Sequence, residues 1–178
     1  MKAARVLVTG GVRSGKSRHA ESLLPADAPV TYVAAGPSPE DESDADWATR
    51  VREHRDARPE HWTTLETRDL AGSLSSAGPV IVDCLGTWLT ALLDEDELWD
   101  APADVATSTV LAEVSRAVAA LDARSEMTVL VTNEVGLGIV PTYRSGRLFR
   151  DLLGLVNQRV AEHCDEVHLV VAGRVLVL

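Results

Sequence analysis

Residues 10–17 read Gly10-Gly11-Val12-Arg13-Ser14-Gly15-Lys16-Ser17, a G-x-x-x-x-G-K-S run set directly after the apolar stretch Arg5-Val6-Leu7-Val8-Thr9. Such a run constrains the chain to end a strand abruptly, turn on small residues and open a helix, so that several backbone N–H groups face one point. Polyphosphate is what such a point binds. Lys16 supplies a positive charge for the outer phosphates, and the Ser17 hydroxyl is the expected protein ligand of the accompanying Mg²⁺. The plain alternative is an ordinary glycine-rich β-to-α turn. The strand, the spacing, the Lys-Ser pair and the helical stretch that follows all argue against it.

The surroundings restrict what this loop can serve. With 178 residues, 46% of them hydrophobic, the chain suits one compact domain covering residues 1–178. A net charge of −10 opposes a nucleic-acid or anionic-membrane surface, so nucleotide binding has to rely on local donors. No apolar run approaches the roughly 20 residues needed to span a bilayer, and a cytoplasmic protein is expected. Cys84 and Cys164 stand far apart with no C-x-x-C spacing, which reads as two small buried hydrophobes. Cys84, beside a candidate acid, is also a possible target for electrophiles.

Short β-branched runs recur at residues 30–35, 80–83, 128–132 and 167–171, separated by stretches of helical periodicity at 15–24, 45–56, 103–123 and 144–163. Alternation of this kind predicts a mostly parallel sheet flanked by helices. In the last helix Leu148, Leu152, Leu155, Val156 and Val160 form the expected core stripe. Val175-Leu176-Val177, after Gly173, reads as an edge strand. Residues 36–46, 72–79 and 94–104 read as surface loops.

The segment Arg50-Val51-Arg52-Glu53-His54-Arg55-Asp56-Ala57-Arg58-Pro59 concentrates nucleophile and phosphate-binding chemistry. On a helical projection His54 continues the apolar line Trp47, Val51, which turns its imidazole toward protein. A neutral imidazole nitrogen can attack phosphorus, with Arg55 and Arg58 holding phosphate oxygens. Equally, a lone helical histidine can be a packed side chain and the arginines surface ion-pair partners. Asp83 ends the strand Val80-Ile81-Val82, a usual position for the acid that orients hydrated Mg²⁺ in a phosphate-loop enzyme. Asn133 and Glu134 close another strand, either at substrate or holding the loop that runs through Gly136 and Gly138. Arg144, Arg147 and Arg150 form a basic stripe, read as pairing with acids such as Asp151 or as a contact for phosphate or a second subunit.

Taken together, VLVTGGVRSGKSRHAE, the H-R-x-x-R-P-x-x-W-x-T block with Glu66 beyond it, VTNEVGLGIVP and FRDLLGLVNQRVAEHCDEVHLVVAG resemble, nearly end to end, the adenosylcobinamide kinase / adenosylcobinamide-phosphate guanylyltransferase family of cobalamin biosynthesis. The resemblance implies a P-loop NTPase fold of RecA-like α/β type. It also implies two activities: phosphorylation of adenosylcobinamide with ATP or GTP, then transfer of GMP from GTP to adenosylcobinamide-phosphate through a guanylyl-histidine. The matching nucleophile is His54. Guanine-nucleotide contacts are implied for residues 10–17, for Ala34, Ala35 and Gly36, for Arg55, Asp56, Ala57 and Arg58, and for Glu66 and Asp83. Lys16 is implied in catalysis, Ser17 and Asp83 in holding Mg²⁺, and the assembly is implied to be a homotrimer. Glu53 stands where some relatives carry a second histidine, Ala34-Ala35-Gly36 lacks a hydroxyl, and Asp83 replaces a glutamate of some members. Two other functions fit the phosphate loop alone: a small-molecule kinase without guanylyl transfer, and a non-catalytic nucleotide-dependent switch.

Overall fold

A computed structural model of the chain describes residues 5–36, 49, 55 and 58–178. Strand β1 (Arg5–Gly10) is buried from Val6 to Gly10 on both of its faces, as a strand covered by helices on two sides must be. Around it stand β2 (Thr31–Ala34), β3 (Thr63–Glu66), β4 (Val80–Asp83), β5 (Thr128–Asn133), β6 (Glu166–Val171) and β7 (Arg174–Val177). They form one sheet in the order β3-β2-β4-β5-β1-β6-β7. Pairing is parallel except between β6 and β7. Because β5 lies between β1 and β4, one strand separates the phosphate-loop strand from the strand that ends in Asp83.

Five helices are described: α1 (Lys16–Ser22), α2 (Leu70–Ser73), α3 (Leu85–Glu95), α4 (Ala103–Asp122) and α5 (Arg144–Ala161). Strand alternation sorts the core into two halves. Val6, Val8, Ile81, Val129 and Val131 pack with Ala20 and Leu24 of the α1 region, whereas Leu7, Val33, Val82 and Leu130 pack under α2 to α5. The α5 stripe is Leu148, Leu152, Leu153, Val156 and Val160. Leu155, expected in it, is 37% exposed, and Leu153 takes its place because the buried arc centres one residue to the other side.

The mostly parallel sheet and the antiparallel edge strand agree with the sequence reading, and three elements were not anticipated. β3 has no buried residue, α2 occupies the start of the stretch expected as a loop over 72–79, and α3 extends into the acidic stretch at 94–95. The helix expected over 45–56 and the loop over 36–46 fall, apart from Gly36, Thr49 and Arg55, outside the described residues. α3 is started by Cys84, whose Sγ accepts the Thr87 N–H at 3.4 Å while its own N–H donates to Thr87 Oγ1 at 3.4 Å, a reciprocal cap.

The turn from α2 into β4 carries few bonds of its own and is stapled by Arg124. Its guanidinium donates to the carbonyl oxygens of Leu74, Ser76 (2.8 Å) and Gly78 (2.5 Å), and to Thr128 Oγ1 at 2.8 Å. Arg124→Ala should therefore lower unfolding stability by about 1–3 kcal/mol in urea titrations at neutral pH, since several half-buried carbonyls lose a charged donor at once. A change below about 0.5 kcal/mol would mean that the turn is held by other contacts.

Candidate active site

At the carboxyl end of β1 the chain curls through residues 11–15. Arg13 (φ 56°) and Gly15 (φ 94°) both take the left-handed backbone, which turns successive N–H groups toward one concavity. Gly15 is the N-cap of α1 and leaves the cap position to backbone alone. The loop is fixed by its neighbours: the Glu134 N–H donates to Gly10 O at 3.1 Å, and the Gly173 N–H of the β6–β7 turn donates to Ser14 O at 2.8 Å. Residues 12–18 and Asn133 enclose a cleft of about 510 Å³. Lys16 folds over it, Nζ donating to Gly11 O at 3.4 Å.

The site needs glycine at position 10 for a steric reason. A Cβ there would lie 2.5 Å from the Val170 carbonyl oxygen and 2.7 Å from Ser14 Oγ, and the first of these is backbone that cannot yield. At Gly11 a Cβ would meet nothing within 4 Å.

A second group of expected site residues closes the strands beyond β5. Glu66, Ala34 and Asp83 are the last residues of β3, β2 and β4, three adjacent strands, with Ala34 and Glu66 in register. Ala34 O accepts the Thr67 N–H, Ala35 is buried, and Gly36 lies against Thr87. Arg55 pairs with the Glu66 carboxylate. Arg58 is not the exposed ion-pair partner that the sequence allowed: it lies 3.5 Å from the centroid of the Tyr32 ring and donates to Thr64 Oγ1 at 2.9 Å. Both arginines thus anchor on β3. His54, Asp56 and Ala57 lie outside the described residues.

Between the two groups stands the end of β5. Asn133 lines the phosphate-loop cleft while its backbone carbonyl oxygen accepts from Asn157 Nδ2 at 3.1 Å, and Thr132 Oγ1 donates to Asn157 Oδ1 at 2.6 Å. Glu134 Oε1 accepts the Gly136 N–H at 2.6 Å, the loop-holding alternative of the two read from sequence. The basic stripe on α5 holds backbone, not acids. Arg144 donates to Trp99 O and Ala101 O, Arg147 to Pro141 O (3.2 Å) and Thr142 O (2.6 Å), and Arg150 to Gly136 O at 2.7 Å. Sequence reasoning missed Tyr32, Thr64 and Asn157. The readable signals were a phenol within an aliphatic strand and an amide beside the buried stripe of α5.

The cysteines are held as thiols. Burial pushes Cys84 upward, with the Asp83 charge adding to it, and burial pushes Cys164 up to about 12. Neither presents the thiolate that reaction with electrophiles requires. Among the described residues no helix is long and apolar enough to cross a membrane.

A glycine-built phosphate loop at the carboxyl edge of a mostly parallel sheet, with polar residues ending the neighbouring strands, defines a P-loop α/β protein. The family is narrower than that class. Residues 6–178 match the model of the cobinamide kinase / cobinamide phosphate guanyltransferase family, and the chain belongs to it. It is 43% identical over 180 residues to the bifunctional adenosylcobalamin biosynthesis protein CobU of Escherichia coli, covering 94% of this chain and 96% of that protein. The Salmonella typhimurium protein of the same name gives the same identity and coverage. The bifunctional adenosylcobalamin biosynthesis protein CobP of Pseudomonas aeruginosa is 37% identical over 177 residues, 95% of this chain and 94% of that one.

The geometry of the loop makes a paired test. Gly10→Ala should weaken binding of a fluorescent GTP analogue by more than tenfold, whereas Gly11→Ala should stay within about threefold of wild type, because only the first forces a backbone clash. Equal effects of the two would show that the loop does not depend on the close approach of β1 to β6.

Proposed function

We propose that this enzyme performs both transfers of its family: it phosphorylates adenosylcobinamide with ATP or GTP, and then joins GMP from GTP to adenosylcobinamide-phosphate, giving adenosylcobinamide-GDP. The observation that carries the reading is the shared carboxyl edge of the sheet, where the phosphate loop ends β1 while, beyond β5, Asp83 ends β4 and Glu66 ends β3, with Arg55 and Arg58 anchored on β3. Plain kinase activity would leave that second, arginine-bearing group without a task.

In the first transfer the substrate hydroxyl oxygen bonds to the γ-phosphorus as the bond to the bridging β–γ oxygen breaks, the nucleoside diphosphate leaves and the hydroxyl proton passes to solvent. Backbone N–H groups of residues 11–17 and the Lys16 ammonium hold the charge that moves onto the bridging oxygen. Mg²⁺, when bound, would neutralise phosphate charge. The oxygen donors assigned to it, the Ser17 hydroxyl and the Asp83 carboxylate, are hard ligands of the kind it prefers, and Asp83 Oδ1 takes no hydrogen bond from the described residues.

In the second transfer an imidazole nitrogen of His54 attacks the α-phosphorus of GTP. A P–N bond forms as the bond to the β-phosphate oxygen breaks, and pyrophosphate leaves. A phosphate oxygen of adenosylcobinamide-phosphate then attacks the same phosphorus, the P–N bond breaks and free His54 returns. Arg55 and Arg58 are assigned to the nucleotide phosphates during this exchange, with Ala34, Ala35, Gly36, Asp56, Ala57 and Glu66 at the guanine nucleotide. The protein is assigned to the cytoplasm, where its nucleotide substrates are made, and to a homotrimer. Val175, Leu176 and Val177 of the edge strand β7 and Leu178 after it, 42–71% exposed, offer apolar surface for subunit contact.

Incubation with Mg²⁺ and GTP labelled at the α-phosphate should give a covalent, acid-labile and alkali-stable adduct that His54→Ala abolishes while sparing part of the phosphorylation of adenosylcobinamide. Lys16→Ala should depress both transfers by at least a hundredfold, about 2.7 kcal/mol of lost stabilisation. Absence of α-label in protein that still phosphorylates adenosylcobinamide would reduce the reading to a kinase.

A further inference from the structure

We infer that Tyr32 is a positioning residue for Asp83, holding that carboxylate in one orientation and tying it to the arginine-bearing block through Arg58. The inference rests on the assignment of Asp83 as the acid that serves the nucleotide's Mg²⁺.

Tyr32 is 3% exposed in the middle of β2 and packs among the aliphatic side chains that face α1. Packing alone would be met by phenylalanine. The hydroxyl adds a single hydrogen bond, donated to Asp83 Oδ2 at 3.0 Å. The register explains the reach: Tyr32 lies opposite Ile81 on β4, and Asp83, two residues further on, points to the same face of the sheet. A phenol standing upright there leans onto the last residue of the neighbouring strand.

That one bond decides an orientation. The final torsion of an aspartate is broad and nearly two-fold, so an unheld carboxylate at a strand end samples many rotations. With Oδ2 engaged by the phenol, Oδ1 is the oxygen left without a hydrogen bond from the described residues.

The ring is fixed from its other side. The Arg58 guanidinium covers one face at 3.5 Å, and the Trp62 ring stands tilted at 6.4 Å. Arg58 is itself directed by Thr64 Oγ1, and among the described residues its Nε and the Trp62 Nε1 are buried without a hydrogen-bond partner, so the contacts described for its side chain are the stack and that one bond. The chain Thr64, Arg58, Tyr32, Asp83 runs from β3 across β2 to β4. It connects the arginine-bearing block to the acid by contacts no longer than 3.5 Å.

The test is equilibrium binding, with N-methylanthraniloyl-GTP as the probe and Mg²⁺ present or absent, on wild type, Tyr32→Phe, Asp83→Asn and the double variant. Tyr32→Phe keeps the ring and hence the Arg58 stack, and thermal unfolding checks that it is folded. Wild type should bind more tightly with Mg²⁺, and Asp83→Asn should lose most of that gain. Tyr32→Phe should lose about tenfold of it, the weight of one hydrogen bond to a charged group, with Mg²⁺-free affinity within about twofold of wild type. In the Asp83→Asn background Tyr32→Phe should change nothing further, because a positioning residue acts only through its target. A merely structural hydroxyl would weaken binding equally in both backgrounds and with or without Mg²⁺, and that result overturns the inference. Tyr32→Phe with the full Mg²⁺ gain, beside an Asp83→Asn that has lost it, overturns the inference while leaving Asp83 as the acid. Asp83→Asn with an unaltered gain removes Asp83 from the metal and overturns both.

Discussion

The rest of the site depends on how closely β1 approaches β6 at Gly10. The Val170 carbonyl occupies the space a side chain would need, and Gly10 O is at the same time bonded by the Glu134 N–H from the β5 side. The phosphate loop is therefore clamped by its neighbours on both sides. A third bond, from Gly173 to Ser14 O, fixes it from the β6–β7 turn. A loop held by three strands' worth of backbone needs no reorganisation to present its N–H groups, which is the condition for fixed dipoles to stabilise developing charge.

The other half of the edge is built differently. Side chains, not backbone, make the connections there: Arg55 to Glu66, Arg58 to Thr64 and Tyr32, Tyr32 to Asp83. β3, the strand that receives two of these contacts, is mostly exposed and contributes little to the core, so its value to the molecule is as a ledge for the arginines. On α5 the arrangement is reversed, because Arg144, Arg147 and Arg150 are long side chains spent on backbone carbonyls of residues 99–101 and 136–142. The loop that carries the exposed Leu137, Ile139, Val140 and Tyr143 is thus tied to α5 through the carbonyl oxygens of Gly136, Pro141 and Thr142.

Those contrasts explain what could be read from the residues and what could not. The phosphate loop was legible because its glycines and the Lys-Ser pair answer a local backbone requirement, and the central strands were legible because burial on both faces leaves unbroken apolar runs. β3 was not, since Thr63-Thr64-Leu65-Glu66 is short and exposed and carries no periodicity to detect. α3 was hidden by its cap, because a cysteine is not among the usual N-cap residues. The arginine stripe was visible as a stripe, but its partners are carbonyl groups, which every residue possesses and no sequence marks. Asp83 could be placed at a strand end from pattern alone, whereas its tie to Tyr32 depends on the inter-strand register, a property of two segments about fifty residues apart.

A net charge of −10 sets a last condition on the site. Its summed field opposes nucleotides and a phosphorylated substrate at long range, but at physiological ionic strength that field is screened beyond about 8 Å. Inside this distance the phosphate-loop cleft presents Arg13, Lys16 and Arg18 together with backbone N–H groups. Attraction is therefore confined to the last few ångströms of approach. An acidic surface with a local cationic cleft discriminates against extended polyanions, which must lie along the repelling surface, while accepting a compact polyphosphate that fits wholly within the screened radius. The acidic composition and the phosphate loop, which look contradictory when read separately, are compatible once attraction acts only at short range.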